Sequence, residues 1–208
     1  TNVLITAKSN QTIYIDAGAI VYGQIFCGMG SNFTIAGHGV LCGSIYDRYA
    51  DTIVPVSITN AHDFTIRDIT ILDPSAWTVN LYKCKNAVID NVKIIGARSN
   101  SDGITMQNVE NVLVQNCFVR SWVKGYNGNV DGVTCRNCIL WTDLAQSCEI
   151  GYETRAQFIR NITFEDITVL HSFHKPVISV HSGDDAVVED ITFRNIVVEH
   201  EEVGSGDA

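Results

Sequence analysis

From residue 54 onward the chain repeats one short pattern. Six segments, FTIRDITI (64–71), AVIDNVKI (87–94), VLVQNCFV (112–119), VTCRNCIL (133–140), ITFEDITV (162–169) and ITFRNIVV (191–198), alternate apolar and polar positions around a central Asp or Asn. Those central residues are Asp68, Asn91, Asn116, Asn137, Asp166 and Asn195, at intervals of 23, 25, 21, 29 and 29 residues. Alternation of this kind is the signature of a strand with one buried face. A period of 20 to 30 residues with no helical stretch between strands means that no repeat buries its apolar face alone, so successive coils must stack. The pattern predicts an all-β fold, a single-stranded right-handed parallel β-helix.

A second strand family precedes the first in each coil: WTVNLY (77–82), DGITMQ (102–107), VKGYNG (123–128), CEIGYE (148–153) and VISVHS (177–182). Each begins 14, 14, 14, 18 and 18 residues ahead of its coil's Asn or Asp, so these strands should stack as one sheet with a rise of about 4.8 Å per coil. Residues 1–53 read as short strands at 3–6, 12–15, 20–22, 33–35 and 40–41, punctuated by glycines, with 46–51 as a loop. Dense turn signals around β-branched triplets fit the same architecture. The recurring Asn and Asp residues read as corner scaffold, hydrogen-bonded and stacked into ladders. One domain, residues 1–208, is expected.

Composition narrows the partners. With 46% hydrophobic and 18% charged residues, the chain can bury a sizeable core. A net charge of −9 argues against a nucleic-acid partner, which needs a basic face. No apolar run is long enough to span a bilayer, so no membrane partner is expected, and Thr1 does not begin a signal peptide. Seven cysteines cannot all pair with one another. Cys135 and Cys138 are a weak zinc signal, and buried free thiols on strands are the preferred reading. Cys117 and Cys138, one coil apart, should stack inside the core, with a disulfide between them as the alternative. No cofactor or metal is implied.

The chemistry concentrates at Arg98-Ser99-Asn100-Ser101-Asp102-Gly103-Ile104, a polar corner that delivers one carboxylate to the head of a strand. Asn100-Ser101-Asp102-Gly103-Ile104 resembles the Asn-[Ser/Thr]-Asp-Gly-Ile signature of the polygalacturonase-like β-helix glycoside hydrolases, a grouping whose relatives include the dextranases. Residues 17–20, 34–43 and 148–155 are also similar to coils of that family. The resemblance implies hydrolysis of a glycosidic bond, usually with inversion, in a groove along the stacked sheet. One carboxylic acid protonates the leaving oxygen while another carboxylate activates water, the two about 6.5 to 9.5 Å apart. Asp102 matches the first of the family's aspartates.

The departure matters as much as the match. In the family a paired aspartate follows about one coil later, and here that place reads Trp122-Val123-Lys124-Gly125. The step from Asn116 to the next strand start is 7 residues, against 11 after both Asn91 and Asn137. Either residues are missing between Trp122 and Val123, or this chain has lost the usual machinery. Asp184-Asp185 imitates the pair in spelling but lies three coils from Asp102, about 14 Å, and reads as a turn. Glu149 and Glu153 should point outward if Ile150 and Tyr152 point inward. Glu149 lies two coils from Asp102, about 9.6 Å, just outside the inverting range, and is the candidate second acid. His38 sits in a Gly-His-Gly that spells a family catalytic motif, but far down the stack. Asn100, Trp122, Lys124, Glu153, Arg155 and His181 are the candidate substrate contacts.

The leading expectation is a secreted or periplasmic glycoside hydrolase acting on a poly- or oligosaccharide. The Arg-Ile-Lys run that relatives use to hold a sugar carboxylate is absent near 177–182, which favours a neutral glycan. A non-catalytic carbohydrate-binding or structural β-helix is the alternative. A polysaccharide lyase would need clustered carboxylates for calcium, and no such cluster is evident.

Overall fold

The computed structural model describes residues 3–47, 53–120, 128–143, 145–151 and 154–202. Its strands in chain order are β1 (Val3–Thr6), β2 (Thr12–Ile15), β3 (Ile20–Cys27), β4 (Gly30–Gly37), β5 (Val40–Cys42), β6 (Val56–Thr59), β7 (Ala61–Arg67), β8 (Thr70–Leu72), β9 (Val79–Tyr82), β10 (Lys85–Asp90), β11 (Lys93–Ile95), β12 (Ile104–Gln107), β13 (Val109–Gln115), β14 (Phe118–Arg120), β15 (Val130–Thr142), β16 (Cys148–Ile150), β17 (Phe158–Phe173), β18 (Ile178–Val180), β19 (Val187–Val198) and β20 (Glu201–Glu202). Every strand pair is parallel and joins adjacent coils. One ladder runs β1–β3–β6–β9–β12. A second runs β2–β4–β7–β10–β13–β15–β17–β19. A third runs β5–β8–β11–β14 and continues in β15 and β17. The fold is the right-handed parallel β-helix that the repeat predicts.

Register makes the core a set of vertical columns, because a parallel in-register ladder places like positions over like positions. Ile35, Ile66, Ile89, Val114, Cys135 and Phe164 form one column. Phe33 stacks on Phe64 in the next, ring centroids 5.0 Å apart, and the small Ala87 follows above Phe64. Cys117 and Cys138 lie in the core as expected, their thiols donating to the carbonyls of Gln115 (3.1 Å) and Arg136 (3.2 Å). All seven cysteines are free, and Cys135 Sγ stands 3.9 Å from Cys138 Sγ. Burial pushes the Cys148 thiol up to about 12 and that of Cys84 to about 11, which keeps both in the unreactive thiol form.

The corners explain the repeating Asn and Asp. Asp68, Asn91, Asn116, Asn137, Asp166 and Asn195 all have φ between 50° and 65°, the left-handed region that Asn and Asp tolerate best. Their side chains link coil to coil: Asn91 Nδ2 donates to Asp68 Oδ1 (2.8 Å), Asn137 to Asn116 (2.7 Å) and Asn195 to Asp166 (2.7 Å). Asn116 departs from this and donates to Asp90 Oδ1 (2.7 Å). A second left-handed corner, unmarked by the sequence pattern, precedes each of these by five residues: Asp63, Asn86, Asn111, Gly132, Asn161 and Asp190. Asn86 donates to Asp63 (2.8 Å) and Asn111 to Asn86 (2.9 Å).

Two strand estimates change. β3 and β4 extend well beyond 20–22 and 33–35, because β3 crosses from the third ladder into the first and pairs with β5, β1 and β6 in turn. The strands expected at 102–107 and 148–153 do not join in one described sheet: β12 pairs with β9, and β16 pairs with β18. The intervening strand, expected at 123–128, falls almost entirely outside the described residues, as does the question of a gap between Trp122 and Val123.

Candidate active site

The outer face of the first ladder is a row of polar side chains. Val79 and Leu81 of β9 and Met106 of β12 are in the core, so by alternation Asn80, Tyr82, Thr105 and Gln107 point outward. Ser57 and Thr59 occupy the matching positions of β6. These groups offer hydroxyls and amides and include no Lys or Arg. Lys83, at the next corner, holds its Nζ over the Tyr82 ring at 5.1 Å.

At the head of β12 the chain delivers Asp102 from a braced corner. Arg98 donates from Nη1 to Tyr46 O (2.6 Å), and from Nη2 to Ser44 O (2.9 Å) and Asp73 Oδ2 (2.8 Å). Its own carbonyl accepts from Ser101 Oγ (2.6 Å) and from Ser101 N (3.2 Å). Asn100, exposed and at φ 56°, makes the turn. Asp102 is then fixed by its carbonyl, which accepts from Thr78 N at 2.8 Å. No periodicity reveals Arg98 as the brace, because its partners lie 25 to 54 residues away.

Both expected acids are more enclosed than an open trough implies. Asp102 is 1% exposed and Glu149 3%, and both residues have interaction partners within the protein. Glu149 stands between Cys148 and Ile150, both in the core. Alternation reports which face a side chain takes and not what covers that face, so it yields direction without exposure. Glu149 and Ser147 also border a cavity of ≈ 60 Å³ whose other walls include Ile104, Met106, Val133 and Leu140.

The remaining candidates separate. His181 is exposed, its N–H donating to Ile150 O (2.8 Å). Gly151, φ 118°, makes this approach possible, since a Cβ there would lie 2.2 Å from His181 O. Arg155, largely exposed, reaches Asp184 Oδ1 (3.3 Å). Asp184 also exchanges hydrogen bonds with Thr154, accepting from its N (3.0 Å) and donating from its own N to Thr154 Oγ1 (2.9 Å). It is a turn residue, as its spelling after β18 suggests. His38 is exposed at the corner between β4 and β5, near Asp68. Trp122, Lys124 and Glu153 lie outside the described residues. Among the described residues no three His, Cys, Asp or Glu side chains are grouped to hold a metal ion.

Comparison with known proteins agrees with this architecture. The family model described as glycosyl hydrolases family 28 matches residues 47–204. The chain is similar to isopullulanase of Aspergillus niger, 25% identical over 192 residues, covering 81% of this chain and 33% of that protein. It is also similar to an Aspergillus niger protein assigned as rhamnogalacturonase D, 27% identical over 170 residues, covering 78% of this chain and 36% of that one. The chain therefore spans about a third of the length of these curated relatives. A solved structure from Parabacteroides merdae, assigned as a glycosyl hydrolase, superposes with a TM-score of 0.54 at 16% identity, covering 89% of this chain and 78% of that chain. At that identity the likeness bears on the fold alone.

Proposed function

The chain belongs to glycosyl hydrolases family 28, and on that premise we propose that it hydrolyses glycosidic bonds of a poly- or oligosaccharide with Asp102 as one acid–base group. The observation that supports this most is the placing of Asp102 by a braced corner at the head of β12, beside a row of neutral polar side chains. In this reading the reaction inverts: one carboxyl protonates the departing oxygen while the other draws a proton from the attacking water. Glu149, two coils on and about 9.6 Å away if the coils stack evenly, just beyond the spacing of an inverting pair, is the second carboxylate we propose. A substrate of this size is met outside the cytoplasm, which favours a secreted or periplasmic enzyme. The absence of basic side chains from the outward positions of β6, β9 and β12 favours a neutral glycan.

One observation favours the non-catalytic alternative. The coil between Asn116 and Asn137 has the shortest interval of the series, 21 residues, at the place where relatives have a paired aspartate. The two readings separate in one experiment, release of reducing ends from neutral and acidic polysaccharides by the wild-type protein and Asp102→Asn. The hydrolase reading expects release by the wild type and loss of about a thousandfold or more in the variant. Retention of most activity in Asp102→Asn would remove Asp102 from the mechanism. Glycan binding without release supports the alternative.

A further inference from the structure

Three side-chain oxygens beside Asp102 are shut away from solvent and have no hydrogen-bond partner among the described residues: Thr78 Oγ1, Asn80 Oδ1 and Thr105 Oγ1. Thr78 and Thr105 are 0% and 2% exposed. Asn80 and Thr105 are register partners across β9 and β12. Thr78 lies two residues before Asn80, with the inward Val79 between them, so it shares their outer face. The Thr78 N–H is the one that donates to Asp102 O. Neighbours across the ladder are about 4.8 Å apart, and alternate residues along a strand about 6.7 Å. The three positions thus surround a patch in which one oxygen atom can reach more than one of them.

An unpaired buried polar group costs roughly 1–3 kcal/mol, and native proteins leave few of them. Three in adjacent positions mark a place built for a partner. The chemistry of the partner follows from what is offered. Asn80 Oδ1 only accepts, whereas each threonine hydroxyl both donates and accepts. A carboxylate brings acceptors alone and would face Asn80 Oδ1 with like partial charge. A sugar hydroxyl brings one donor for Asn80 and lone pairs for the threonines.

We propose that Thr78, Asn80 and Thr105 form a polar subsite that takes a hydroxyl of a neutral sugar residue and seats its ring beside Asp102, discriminating against uronic acids. The subsite deepens the glycoside-hydrolase reading and rests on it for its substrate class. It adds three specificity residues that the sequence pattern does not single out; their signal is the segment one coil before the Asp102 strand.

The test uses shape-preserving changes, Thr78→Val, Thr105→Val and Asn80→Leu, in the whole chain. Binding of glucose, galactose, xylose, rhamnose, maltose and galacturonate is measured by saturation-transfer NMR, and unfolding by urea in the absence of sugar. The expected result is that the wild type binds at least one neutral sugar more tightly than galacturonate. Asn80→Leu weakens that binding tenfold or more and each Val change about fivefold, while sugar-free stability is unchanged or higher. Variants that bind as the wild type does, or a wild type that binds none of the neutral sugars, overturn the subsite. Val variants that lose stability without sugar while binding normally point to a resident water and overturn it equally. Asp102→Asn keeps the two readings apart: sugar binding that depends on Asn80 without any hydrolysis leaves the subsite standing and the hydrolase reading fallen. Hydrolysis with a KM indifferent to all three changes does the reverse.

Discussion

Replacing Arg98 by Ala tests whether the corner that presents Asp102 is held by one side chain. The change removes donors from two backbone carbonyls, Tyr46 O and Ser44 O, and from the Asp73 carboxylate. Hydrogen bonds from a charged donor are each worth about 1.5–3 kcal/mol when enclosed. The Arg98 side chain is 27% exposed and that of Asp73 34%, so water replaces part of what is lost and the ion pair itself adds little. A net loss of about 2 kcal/mol follows, or about 4–8 °C in melting temperature for a domain of this size. Arg98→Lys restores a single point donor in place of the fork and should recover at most half. The corner also sets Asp102 through the Arg98–Ser101 contacts, and a 1 Å displacement of a reacting group costs on the order of 100-fold. Turnover should therefore fall with little change in KM. Circular dichroism melts and steady-state rates on the two variants measure both effects. An Ala variant that melts within about 1 °C of the wild type and turns over equally refutes the argument.

Other expectations follow from the columns and corners. Ile89→Ala, at a fully buried column position between Ile66 and Val114, should cost about 3 kcal/mol in urea unfolding, and a loss below about 1 kcal/mol would mean the column collapses freely. At the corner, Asn91→Gly keeps the left-handed backbone and loses the side-chain bonds to Asp68 and from Lys93 Nζ, whereas Asn91→Ala also strains the backbone. Losses of about 1 and about 2 kcal/mol are expected, and a Gly variant worse than the Ala variant would contradict the ranking. Stability should also fall in acid. Hydrogen bonds from Asn91 and then Arg67 hold the Asp68 carboxyl below its usual value, and those from Asn161 and Arg160 do the same for Asp131. Groups depressed in the folded state contribute fully above the unfolded value, near about pH 4, and lose that contribution as pH drops through the lower folded value. Denaturation followed from about pH 6 to about pH 2 should show this decline, and a rise in stability on acidification would refute it.

The β7 to β19 stack was legible because apolar alternation and a central Asn or Asp mark each strand directly. Half of the corner logic escaped. Asp63, Asn86 and Asn111 are as regular as their partners five residues on, but they stand within β7, β10 and β13, where an outward polar residue is unremarkable, and only the positive φ distinguishes them. The site was legible in direction and not in enclosure. The motif marked the corner that carries Asp102 and alternation suggested a direction for Glu149, while their burial depends on chain segments distant in sequence. Asn80 and Thr105 carry no signal of their own in the sequence pattern, and only the structure shows their buried oxygens without partners among the described residues.

The register of the second and third ladders has a consequence for how such a molecule can change. Val109 pairs with Val130, Gln115 with Arg136 and Phe118 with Ile139, with no slip across the coil whose span is shortest. Two walls of the tube act as a splint for the third. Residues can be gained or lost between Arg120 and Val130 while the remaining walls keep their alignment, so the wall built from the first ladder is free to vary in length at little expense to the tube. Diversification of recognition on this scaffold can therefore proceed one turn at a time, by trimming and extending a single side.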